Sequence, residues 1–130
     1  MSHKPKPPNS EPSIRVVMMP RDTNAEGTIF GGVILSLIDQ AAYVEAVRQA
    51  HRRYVTVAMR EVAFHQPVFV GDVLSLYCDT VRVGRTSLTI RVRVCARRRT
   101  DPDQDVKVTE AEVVFVAVDE ASKPVPLYAE

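Results

Sequence analysis

The sequence predicts an α+β domain in which one antiparallel sheet wraps around one long helix. Three observations carry that prediction. Residues 32–50, "GVILSLIDQAAYVEAVRQA", form a single apolar, alanine-rich run with helical spacing. Four strand-like segments follow it, joined by short turns, with no second helix among them. An antiparallel sheet needs its apolar face covered, and this helix is the only long element on offer.

Each element can be justified in chain order. "IRVVMM" (14–19) reads as a short first strand, ended by Pro20. Residues 21–30 form a loop, with Asp22, Asn24 and Gly27 as turn formers. The helical pattern begins at Gly32. Val33, Leu37 and Ala41 lie on one side, with Ile34, Ile38 and Ala42 beside them. It ends in "HRR" (51–53), basic residues suited to a helix C-terminus. The apolar share is too large for a surface helix, so a central, largely covered one is predicted. Strands are expected over 54–64, 73–83, 86–98 and 106–118. In the third of these, Leu88, Ile90, Val92 and Val94 face one side, and Arg91, Arg93 and Arg97 the other. "VGD" (70–72), Gly84–Arg85 and the exposed "TDPDQD" (100–105) are the turns. Part of the helix would still lie near an open face, which favours a dimer.

Composition narrows the class. The 130 residues suffice for one core, and 45% of them are apolar. A formal net charge of +1 argues against a protein that seeks nucleic acid. Cys78 and Cys95 each sit in an apolar strand and read as buried thiols of a reducing compartment. No apolar stretch approaches the length of a membrane span. "MSHKPKPPNSEPS" (1–13) has no signal-peptide core and suits a disordered, Pro-rich tail. A single cytoplasmic domain over residues 14–130 is expected. No metal cluster and no cofactor motif is visible.

The stretch "MPRDTNAEGTIFGGVILSLIDQAA" (19–42) resembles the signature of the hotdog-fold acyl-CoA thioesterases. The closest branch is that of the small bacterial acyl-CoA hydrolases related to the brain-type cytosolic enzyme. The strands over 55–94 and "TEAEVVFVAVD" (109–119) are similar to the family's sheet in the same order. The resemblance implies a hotdog fold and a double-hotdog dimer, usually assembled further into a hexamer as a trimer of dimers. It implies hydrolysis of acyl-CoA to fatty acid and coenzyme A, with no nucleic acid, membrane or metal as partner. One departure is "FHQP" (64–67), where relatives often carry a cation and this chain has Gln66.

Thioester hydrolysis needs a base or nucleophile, and donors where the carbonyl oxygen gains charge. Asp39, one carboxylate in an apolar helical run, suits the first need, and it matches the family's catalytic position. The competing account is an Asp on a wet helix face. Gly31 and Gly32, at the helix start, suit the second need, because the first amides of a helix are unpaired. They also serve simply as a loop-to-helix turn. Asp39 lies seven residues past Gly32, about 10 Å along the axis. A carboxylate and amides so far apart do not easily share one carbonyl, so a site composed from two chains is expected. By resemblance, Asn24 sits in that site opposite the Asp; otherwise it is an Asx-turn residue. Arg85 and Ser87 match the family position near the coenzyme A nucleotide. Arg97, Arg98 and Arg99 suit phosphates at a rim. No acidic residue offsets the arginines within 82–99. Other functions on this fold are a non-catalytic acyl-CoA-binding module, a hydroxyacyl-thioester dehydratase using a histidine such as His65, and a purely structural oligomer.

Overall fold

The structure is a computed structural model that describes Lys6 and residues 10–128. Residues 1–5 and 7–9 of the expected tail lie outside the described residues. The elements run β1 (Ile14–Val17), α1 (Gly31–Gln49), β2 (Arg53–Phe64), β3 (Val73–Val83), β4 (Ser87–Arg98) and β5 (Asp101–Val118). All five strands form one antiparallel sheet in the order β1-β3-β4-β5-β2. Chain order alone puts β2 next to β3. Instead β2 pairs with β5 at the far edge, because it leaves the helix on that side.

The helix lies across the sheet on its apolar face. Ile34, Ile38, Ala41, Ala42 and Ala46 are buried against Leu74, Leu76, Leu88, Ile90, Val92, Val113 and Phe115. Alanines on the inner stripe let the helix approach the strands closely. The alternation predicted for β4 holds: Leu88, Ile90, Val92 and Val94 are buried, and Arg91, Arg93 and Arg97 are exposed.

Two boundaries differ from expectation. Helix α1 stops at Gln49, so "HRR" lies beyond it and Arg53 already belongs to β2. Arg48 is the basic residue of the last turn. The expected turn at 100–105 is instead the start of β5. Arg97 pairs with Asp105 and Arg98 with Asp101, so the residues between bulge out of a continuing ladder. The reversal itself needs only Arg99 and Thr100.

The double-hotdog dimer expected as the architecture is corrected here. The chain is a single hotdog unit of one helix and one sheet, open at both edges. Apolar side chains lie exposed at both of those edges. Val17 is 48% exposed on β1, and Val57 is 55% exposed on β2. A two-fold contact uses one self-complementary patch, so it does not cover two opposite edges.

Both thiols are free, and Cys78 is buried. Burial pushes its thiol up to about 12, and burial does the same for the Tyr54 phenol, also to about 12. The ordinary values are 9.0 and 10.0. The folded state therefore holds these protons longer than the unfolded chain. That contribution to stability is full below pH 9 and is lost as pH rises toward 12. Denaturant midpoints measured across this range should fall for the parent protein and fall less for Cys78→Ala. An identical fall in the variant contradicts the assignment to the thiol.

Candidate active site

Asp39 points away from the core. The chain turns back after Ala50 and starts β2, which brings Thr56 alongside the middle of α1. The Thr56 hydroxyl donates to Asp39 Oδ1 at 2.7 Å. Asp39 is half-buried at the mouth of an open pocket of about 500 Å³. Ile14, Tyr43, Val44, Tyr54 and Phe115 give that pocket an apolar lining. One carboxylate oxygen is thus fixed, beside space lined mainly by apolar side chains.

The fully buried acid of the helix is a different residue. Glu45 is 2% exposed. Its Oε1 accepts from Arg48 Nε at 2.7 Å, and its Oε2 accepts from Arg48, Gln49 and Thr80 at 2.9–3.0 Å. The same contact raises the Arg48 guanidinium above its ordinary value. Glu45 is saturated with donors and ties α1 to β3. Asp39 keeps acceptor capacity, so the two acids on one helix have opposite roles.

The glycine pair opens the helix. Among the described residues, the N–H groups of Gly31 and Gly32 have no acceptor, whereas Val33 N–H bonds to Phe30 C=O at 3.0 Å. A Cβ on Gly32 falls 2.6 Å from the Phe30 ring, so any side chain there displaces Phe30. Gly31 borders a second cavity, of about 240 Å³, with Phe64, His65 and Gln66. This cavity shares no lining residue with the one at Asp39. Within one chain, the carboxylate and the free amides do not meet.

Asn24 is engaged inside its own loop. Its Oδ1 accepts from Glu26 N–H at 2.8 Å and from Thr28 N–H at 3.2 Å, and its Nδ2 donates to Thr28 Oγ1 at 2.8 Å. This is the Asx-turn reading of the sequence. The turn shapes the loop that delivers Gly31. One Nδ2 proton remains for another acceptor.

The arginine run divides in two. Arg85 and Ser87 flank the β3–β4 turn, where Gly84 N–H bonds to Ser87 C=O at 2.8 Å. Arg97, Arg98 and Arg99 sit at the other end of β4, about 35 Å away along the strand. One chain does not bring both groups to a single coenzyme A headgroup. Acidic residues from neighbouring strands do offset several arginines, contrary to the reading of 82–99 in isolation. Arg91 pairs with Glu112 at 2.9 Å and Arg97 with Asp105 at 3.4 Å. Arg98 pairs with Asp72 and lies over the Phe69 ring.

Sequence reasoning missed Thr56 as a site residue. The available signal was a hydroxyl among apolar neighbours in "YVTVAM", on the strand that follows the helix. Among the described residues, no cluster of three or more His, Cys, Asp or Glu is placed to hold a metal. No helix among them is long and apolar enough to cross a membrane.

Fold and site together define a thioesterase-type domain, and comparison with known proteins agrees. Residues 26–102 match the thioesterase superfamily, so the chain belongs to it. An uncharacterised acyl-CoA thioester hydrolase of Zymomonas mobilis is 46% identical over 121 residues, 93% of this chain and 80% of that protein. The acyl-CoA thioester hydrolase YciA of Salmonella typhimurium is 42% identical over 122 residues, 92% of each chain. A solved hexameric hotdog-fold thioesterase of Campylobacter jejuni superposes with a TM-score of 0.86 at 41% identity, covering 92% of this chain and 91% of that one. Within the superfamily, the chain is a member of the hotdog-fold acyl-CoA thioesterases, in the branch of the small bacterial hydrolases. The Campylobacter protein is a hexamer, which is the finding that overturns the double-hotdog dimer.

The Thr56–Asp39 bond can be tested by itself. Thr56→Val keeps shape and removes the donor. Thioesterase turnover should fall about tenfold, as for a lost hydrogen bond to a charged group, and Thr56→Ser should restore most of it. Steady-state kinetics reads the effect. Equal turnover in Thr56→Val and the parent contradicts a role in holding the carboxylate.

Proposed function

We propose that the protein hydrolyses the thioester of acyl-CoA, releasing a fatty acid and coenzyme A. The observation that carries this is Asp39: one oxygen is held by Thr56, and the residue lines a largely apolar pocket. In this reading Asp39 is the general base. It takes a proton from water as the water oxygen bonds to the thioester carbon. The carbonyl oxygen gains charge and is met by the Gly31 and Gly32 amides, where no side chain blocks approach. The C–S bond then breaks, and the coenzyme A sulfur leaves and takes up the proton.

The amides come from a neighbouring chain, since one helix separates them from its own Asp39 by about 10 Å. Asn24 acts with them, directly or by holding the loop that leads into Gly31. Relatives described as hexamers support a hexameric assembly of dimer pairs. Arg85 and Ser87, at the β3–β4 turn, suit the nucleotide end of coenzyme A, as the family position implies. Cytoplasmic residence fits two free thiols and an intracellular substrate. A dehydratase reading is less well supported. The Asp39 pocket holds no histidine, and His65 faces Glu110 at 3.5 Å.

Assay of free thiol released from acyl-CoA tests the proposal. The parent protein should turn over, and Asp39→Ala should lose at least about 100-fold with its oligomer size intact, as expected for a general base. Binding of acyl-CoA without thiol release identifies a binding module instead. Near-normal turnover in Asp39→Ala removes the residue from the mechanism.

A further inference from the structure

We infer that Tyr54, tethered by its hydroxyl, limits the length of the acyl chain, whose far end in the Asp39 pocket meets the tyrosine rings packed on Phe115. This rests on the hydrolase reading above. Thr56 and Tyr54 are two residues apart on β2, so they share a face and are separated by about 7 Å. Asp39 and Tyr43 are one turn apart on α1, about 6 Å. Both pairs line the same pocket, with the polar residues at one end and the tyrosines at the other. A carbonyl held at Asp39 therefore directs its acyl chain toward the rings.

The ring wall is braced. Phe115 is 1% exposed. Tyr54 meets it edge-on at 6.0 Å between centroids, and Tyr43 does so at 6.3 Å. The Tyr54 hydroxyl donates to the Ala50 carbonyl, the C-cap of α1, at 2.6 Å. Swinging this ring aside leaves a buried phenol and a helix carbonyl unpaired. Tyr43 and Val44, by contrast, are about half exposed and can yield. An acyl chain explains why an apolar floor adjoins a carboxylate with acceptor capacity. A protein segment seated there covers that carboxylate and brings it nothing to react with.

The test is hydrolysis of straight-chain acyl-CoA from acetyl to palmitoyl by the full-length protein. For the parent, kcat/KM should rise about fourfold per added methylene, then level or fall where the chain meets the wall. Tyr54→Leu and Phe115→Leu should move that break to longer chains. Tyr54→Phe keeps the ring and removes the tether. It should raise kcat/KM on chains beyond the break about fivefold relative to short chains, the weight of one hydrogen bond. If the leucine variants do not fold, Tyr54→Phe decides alone. Hydrolysis by the parent, with the break unmoved in the folded leucine variants and no gain on long chains in Tyr54→Phe, overturns the inference and leaves the hydrolase reading standing. No hydrolysis of any acyl-CoA by the parent overturns both.

Discussion

A single straight helix carries both Asp39 and the unpaired amides of Gly31 and Gly32, and its rise sets them about 10 Å apart. The two cavities beside them share no residue. A thioester carbon and its carbonyl oxygen are one bond apart. On the proposed reading, the base and the oxyanion donors for one substrate therefore come from two chains. Assembly is then a condition of the chemistry, and the exposed apolar surface is consistent with that. Val55 and Val57 on β2, the strand that carries Thr56, are open to solvent in the single chain.

The same helix separates structure from reaction by how many donors each acid is given. Glu45 accepts from three side chains and joins the helix to β3. Among the described residues, Asp39 accepts from one side chain, Thr56, and it lines an open pocket. Substituting Glu45 leaves buried Gln49 and half-buried Arg48 and Thr80 without their acceptor, a loss of stability. Substituting Asp39 touches little that holds the fold.

The periodicity of the sequence made the helix, the strands and the inner face of β4 legible, since apolar spacing decides which side is buried. Asp39 was legible because an acid in an apolar run is rare. What the sequence did not show depends on partners distant in the chain. Thr56 gains meaning only once β2 lies against α1. The arginines of β4 look uncompensated until β5 supplies Glu112 and Asp105 and the turn before β3 supplies Asp72. Asn24 was read in two ways, and its local bonds to Glu26 and Thr28 bear out the Asx turn. The start of β5 was read as a turn because proline and aspartates dominate it, and the β4 ladder overrode that local preference.

The most direct measurement of the central claim uses two damaged chains. Asp39→Ala removes the carboxylate, and Asn24→Ala disrupts the loop that leads into the glycine amides. Each protein alone should be nearly inactive. Co-refolding the two forms mixed assemblies, in which a site can combine an intact Asp39 from one chain with an intact loop from its neighbour. Thiol release by the mixture should rise well above that of either parent, toward one working site for each mixed pair. If both groups served the site of their own chain, every site in the mixture would carry a lesion. Mixed assemblies no more active than the two parents would contradict the shared site.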